Sequence, residues 1–141
     1  MGTEAENTVS FFRFEDLRIY AKALSYINWV YQATSTFPES VHAGLTDQFI
    51  KTTQTIALNI AEGSARNKSQ FIYYLKMAKS AVRDCLVYTT IASQMSLFNE
   101  ENTEYSRNQL MELTKMVGSL IASLQRSLPN GKEESDDIDE L

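Results

Sequence analysis

Three basic side chains, Lys76, Lys79 and Arg83, stand three and four residues apart, the spacing that lines side chains up along one face of a helix. Arg66 and Lys68 extend the charge toward the preceding turn, Tyr73 and Tyr74 lie nearby, and Lys51 adds a base upstream. Aligned cations suit phosphate backbones, because each one that meets a phosphate releases a condensed counterion. These six bases are therefore the candidate nucleic-acid-binding residues. The competing reading is a solvated helical face that holds nothing.

Other chemistries find less to work with. The chain has no nucleotide-binding glycine loop, no paired metal-ligand cysteines and no HExxH motif. His42 is the only histidine and falls in a polar linker, without a second imidazole to build a zinc site. Cys85, the only cysteine, occupies a core position of a helix, where burial raises a thiol pKa and quenches reactivity. Asn59 and Glu62 stand three apart among Ile56, Ile60 and Ala61, so they are expected to form a polar core site. There they would bond helix termini or the loop Gly63–Ser69 and set the interhelical geometry; gripping a ligand is the alternative. Among acids in the helical core, Glu62 and Asp84 are the candidates for inward placement, too few to suggest acid–base catalysis. A non-catalytic protein without metal or cofactor is expected.

Charge is unevenly spread. The net −5 of 141 residues sits wholly in Lys132–Leu141, which carries six acids and one base, while the first 131 residues hold 12 of each sign. Within these, the stretch from Lys51 to Arg83 has six bases against Glu62. A nucleic acid responds to this local field rather than to the sum. No apolar run approaches the roughly 18 to 20 residues that span a bilayer, the start lacks the order of a signal peptide, and a lone cysteine suits a reducing compartment. A cytoplasmic protein with no membrane partner is expected.

The elements that must position these residues read as four amphipathic helices. The first, about Phe14 to Thr36, carries two apolar stripes: Leu17, Tyr20, Leu24, Ile27 and Tyr31, and beside it Ile19, Ala23, Tyr26 and Val30. The second of these is taken as the candidate oligomer interface or partner surface. The second helix, about Leu45 to Ala65, has small residues Ala57, Ala61 and Gly63 that permit a tight crossing near its end. Asn67, with Gln70 three residues on, opens the third, whose apolar stripe runs from Phe71 to Ala92; Asn99 caps the fourth, which extends to about Leu128. Short connections make an antiparallel up-down-up-down bundle over residues 14–128 the economical fold. A flexible segment 1–13 precedes it, and a disordered acidic tail 129–141 follows, too poor in apolar residues to order itself. The tail's alternative role is an electrostatic competitor that folds over the basic surface.

The run Gln48-Phe49-Ile50-Lys51, then Thr55-Ile56-Ala57-Leu58-Asn59-Ile60-Ala61-Glu62-Gly63, then Arg66, Ser69, Phe71, Leu75 and Ala78, resembles the small four-helix-bundle proteins encoded in intervening sequences of bacterial 23S ribosomal RNA genes. The opening Phe14-Glu15-Asp16-Leu17 and the linker Phe37-Pro38 to Gly44-Leu45 match as well, so the similarity covers about Phe14 to Leu128. The chain departs from the family's pattern at Thr52, at Ser80-Ala81 and at Asp84. The resemblance implies a homopentameric ring without catalysis. Related proteins are accessory factors of diversity-generating retroelements, which makes a reverse transcriptase and its RNA the implied partners. A protein-only scaffold that binds no nucleic acid is the rival expectation.

Overall fold

In the computed structural model, which describes residues 10–129, a 3₁₀ turn Arg13–Asp16 precedes four α-helices: α1 (Arg18–Ala33), α2 (Asp47–Ser64), α3 (Lys68–Gln94) and α4 (Glu100–Arg126). Each helix packs antiparallel on the next and α4 closes on α1, giving the up-down-up-down bundle that short connections dictate. None of the helices is long and apolar enough to cross a membrane.

Capping chemistry sets the helix ends. Asn67 Oδ1 accepts the Gln70 amide at 2.8 Å and Asn99 Oδ1 accepts the Asn102 amide at 2.7 Å, each satisfying an orphan donor of a first turn. Glu100 and Glu101 follow Asn99 at the positive end of the α4 dipole. α1 starts later than expected because Leu17 is extended (φ −80°, ψ 130°), which isolates the 3₁₀ turn before it. Between α3 and α4, Ser96 adopts a left-handed φ of 60°, and the Leu97 and Phe98 amides both return to the Ala92 carbonyl, reversing the chain within a few residues.

The close crossing expected of α2 is present. A Cβ built on Gly63 would lie 2.7 Å from Tyr74 Cβ and 2.8 Å from Phe71 Cδ1, so hydrogen alone fits between α2 and α3 there. At the other end of the bundle an aromatic cluster runs from the core to the surface: Phe37 meets Phe98 at 5.4 Å, Phe49 stacks on Tyr88 at 5.6 Å and Trp29 meets the exposed Tyr105 at 4.9 Å.

The two stripes of α1 are exchanged relative to expectation. Ile19, Ala23, Tyr26 and Val30 are between 0% and 4% exposed and form the inner face of α1, so they are not an external interface. The physical reason lies in side-chain tips: the Tyr26 hydroxyl finds a buried partner on α4, whereas Tyr31 on the other stripe is 48% exposed and keeps its hydroxyl at the surface. Ile27 of that outer stripe is buried, but Leu24 and Tyr31 remain exposed. Residues 1–9 of the segment expected to be flexible lie outside the described residues; Ser10, which follows them, donates its amide to Asp16 Oδ2 at 3.2 Å. The acidic tail from residue 130 onward also lies outside them.

Candidate nucleic-acid interface

Lys76, Lys79 and Arg83 do share one face of α3, with Lys76 and Arg83 exposed and Lys79 half-buried. That face looks toward α4. Lys79 and Arg83 form one wall of a groove of about 480 Å³ whose opposite wall is α4. Arg107 on α4 completes the charge, so three cations surround the groove against one acid, Glu104. Val82, Leu86, Leu110 and Met111 make its floor apolar. No side-chain ion pair or hydrogen bond links Lys76, Lys79, Arg83 or Arg107 to any of the described residues, so the four cations on this seam have no anionic partner among them. At the seam's far end Lys68 Nζ donates to the Ser127 carbonyl at 3.5 Å, tying the start of α3 to the end of α4.

The other predicted bases stand elsewhere. Arg66 forms an ion pair with Glu62 one turn earlier and lies over the Tyr74 ring at 5.5 Å, so its charge is already engaged. Tyr74 meets Gly63 of α2, and Tyr88 stacks on Phe49 of α2; both lie roughly 140° to 180° around α3 from the basic stripe. Lys51, exposed on α2, therefore belongs to the opposite side of α3 from the groove. Glu62 is not a core residue: its side chain is 49% exposed and serves as the partner of Arg66. Asn59 is half-buried and donates Nδ2–H to the Thr55 carbonyl at 3.0 Å, a bond within its own helix rather than to another one. Asp84 is exposed as well. The apolar neighbours of these residues point inward at other angles of the helix, which is how polar groups beside Ile56 and Ile60 escape burial.

A different set of polar groups occupies the core. Thr89 donates its hydroxyl proton to the Cys85 carbonyl at 2.9 Å, and its oxygen lies 2.7 Å from the Ser106 hydroxyl, which lies 2.7 Å from the Tyr26 hydroxyl. A carbonyl only accepts, so the protons run in one direction: Tyr26 to Ser106, Ser106 to Thr89, Thr89 to Cys85. This chain ties α1, α3 and α4 together. Ser106 points into the core, and Arg107, the next residue around α4, is thereby turned toward the groove. The sequence offers a faint signal for it, since Ser106 and Thr89 fall on the inward stripes of their helices.

Burial pushes the Cys85 thiol well above its ordinary value, with the nearby Asp84 charge a smaller cause, so the thiol is no nucleophile near neutral pH. Burial likewise raises the Tyr26 phenol, to which Cys85 adds, while the Ser106 and Thr89 hydroxyls oppose the shift. His42 Nε2 lies 3.2 Å from the Phe37 carbonyl within its loop. Among the described residues no three His, Cys, Asp or Glu side chains gather as a metal site would require.

A family model described as 23S rRNA-intervening sequence protein matches residues 15–119. The fold is similar to the crystal structure of a protein with unknown function from the S23 ribosomal protein family of Bacteroides thetaiotaomicron, at a TM-score of 0.68 and 18% sequence identity, covering 74% of this chain and 95% of that one. None of the curated proteins matches the chain.

Proposed function

The chain belongs to the 23S rRNA-intervening sequence protein family, and from that membership and the geometry of the α3/α4 seam we propose a non-catalytic, self-associating bundle that binds RNA or a ribonucleoprotein. The observation that carries this reading is the row Lys76, Lys79, Arg83 and Arg107, cations on one seam with no partner among the described residues. Structural ion pairs would have consumed them; a solvated face would not gather them from two helices around a groove with an apolar floor. Charges on a rigid seam can track a phosphate backbone, and the floor can accept the face of an unstacked base. Tyr73, exposed on α3 about 60° around from Lys76, adds apolar surface beside the stripe. The resemblance to retroelement accessory proteins makes a reverse transcriptase with its RNA the ribonucleoprotein to try first.

Self-association has its own surface. Gln54 of α2 donates to the Tyr31 hydroxyl of α1 at 3.2 Å, Leu58, one turn further along α2, is 67% exposed, and Leu24 and Tyr31 of α1 are exposed as well. A face of this kind is more economically covered by a second copy than by water, and the resemblance sets the expected ring at five. It also favours the second reading, a scaffold that contacts only protein.

One set of samples separates the readings. RNA affinity is measured against salt for the wild type, Lys76→Gln/Lys79→Gln/Arg83→Gln, Arg107→Gln and Lys51→Gln, with light scattering on each. Each phosphate that no longer meets a cation should flatten the slope of log affinity against log salt by about 0.7 for single-stranded RNA. The triple variant and Arg107→Gln should weaken and flatten binding while Lys51→Gln does neither, and Leu58→Asp should dissociate the assembly. Equal affinity and slope for the triple variant and the wild type would overturn the RNA reading and leave the protein scaffold.

A further inference from the structure

We propose that the acidic segment Lys132–Leu141 docks in the α3/α4 groove of its own chain, as an occupant that an anionic ligand must displace. The inference concerns the regulation of the groove and rests on its reading as an anion-binding site, although the two can fail separately.

Charge is the first argument. Lys79, Arg83 and Arg107 exceed the single acid Glu104 in the groove, and Lys76 stands one turn along α3. The first 131 residues balance to zero, so the six acids of Lys132–Leu141 are the excess that the seam's unpaired cations can receive. Oppositely charged segments of one molecule find each other at the high effective concentration set by the tether, on the order of millimolar.

Reach and direction are the second. α4 ends at Arg126 beside the start of α3, as the Lys68 contact to Ser127 shows, so the chain leaves the bundle at the mouth of this seam. Ile138 lies nine chain steps beyond Pro129. At about 3.4 Å each they span about 30 Å, the length of roughly twenty helical residues at 1.5 Å rise. A tail running back along the seam thus brings Ile138 level with Arg107 to Leu110. Along this path α4 presents Gly118, where a Cβ would meet nothing within 4 Å, so the way is open.

Composition is the third. The segment is not acidic throughout: Ile138 is flanked by Asp136 and Asp137 on one side and Asp139 and Glu140 on the other. A groove with cationic rims over Val82, Leu86 and Met111 matches that order, the isoleucine on the floor and carboxylates on both rims. RNA has its own phosphates for the same rims, so the two compete.

The test uses the full chain with a nitroxide on Ser135→Cys; Cys85 is fully buried and stays unlabelled. At low salt the amide resonances of Lys79, Arg83 and Arg107 should be broadened selectively. Raising the salt should restore them, as should Arg83→Glu/Arg107→Glu, which alters only exposed side chains. Replacing the six tail acids by amides should then tighten RNA binding about tenfold at low salt, with the gain vanishing at high salt. Absence of selective broadening overturns the inference even if RNA binds. Broadening that persists in a mixture of labelled and isotope-bearing unlabelled chains assigns the tail to a second copy and overturns the intramolecular form. Broadening without any RNA affinity supports the docking and refutes the RNA reading instead.

Discussion

Removing the Ser106 hydroxyl should destabilise the bundle, and removing the Tyr26 hydroxyl as well should partly restore it. The proton order from Tyr26 through Ser106 and Thr89 to the Cys85 carbonyl makes the two losses unequal. In Tyr26→Phe, Ser106 still donates to Thr89 and loses only an incoming bond, a cost of about 1 kcal/mol. In Ser106→Ala, the Tyr26 O–H is left as a buried donor in a side chain that is 1% exposed, at a cost of about 2 to 3 kcal/mol. The space freed by one hydroxyl is too small to admit water. In Tyr26→Phe/Ser106→Ala no donor is stranded, because Thr89 keeps its bond to Cys85, and the cost should return to about 1 to 2 kcal/mol. Urea denaturation at constant m-value reads these differences, which correspond to several degrees in Tm. A double variant less stable than Ser106→Ala alone would refute the proton order.

Two further outcomes follow from the core. Gly63→Ala should cost about 1 to 3 kcal/mol, since the new Cβ would clash with Tyr74 and Phe71, whereas Gly118→Ala, in open space within α4, should stabilise by about 0.5 to 1 kcal/mol; thermal melts of the two variants decide it. Stability should also fall in alkali. Both buried groups have raised folded-state pKa values, so the folded chain keeps protons that the unfolded chain releases above the ordinary thiol and phenol values of 9.0 and 10.0. The contribution is complete below pH 9 and declines by about 1.4 kcal/mol per pH unit for each group above its unfolded value. Denaturation midpoints of Cys85→Ala against wild type between pH 8 and 11 should converge as pH rises, and parallel curves would contradict the assignment.

Features that depend on local order are legible in the sequence. Helix periodicity, the Asn67 and Asn99 caps, the small residue at Gly63 and the alignment of Lys76, Lys79 and Arg83 are all properties of neighbouring residues along the chain, and each is found where the spacing places it. The packing of one helix on another is decided only in three dimensions. Period 3.6 shows that α1 has two apolar stripes without saying which one turns inward; the hydrogen-bond partner for Tyr26 lies 80 residues away, on α4. The same holds for Glu62, which looks like a core acid beside Ile60 and is an exposed partner of Arg66. Arg107 carries no signal of its own in the sequence because it stands on a helix with several acids, and its charge matters only once the rotation of α4 sets it across a groove from Arg83. A stripe of bases is written in the spacing of one helix, but a site needs a second wall, and only tertiary packing supplies it.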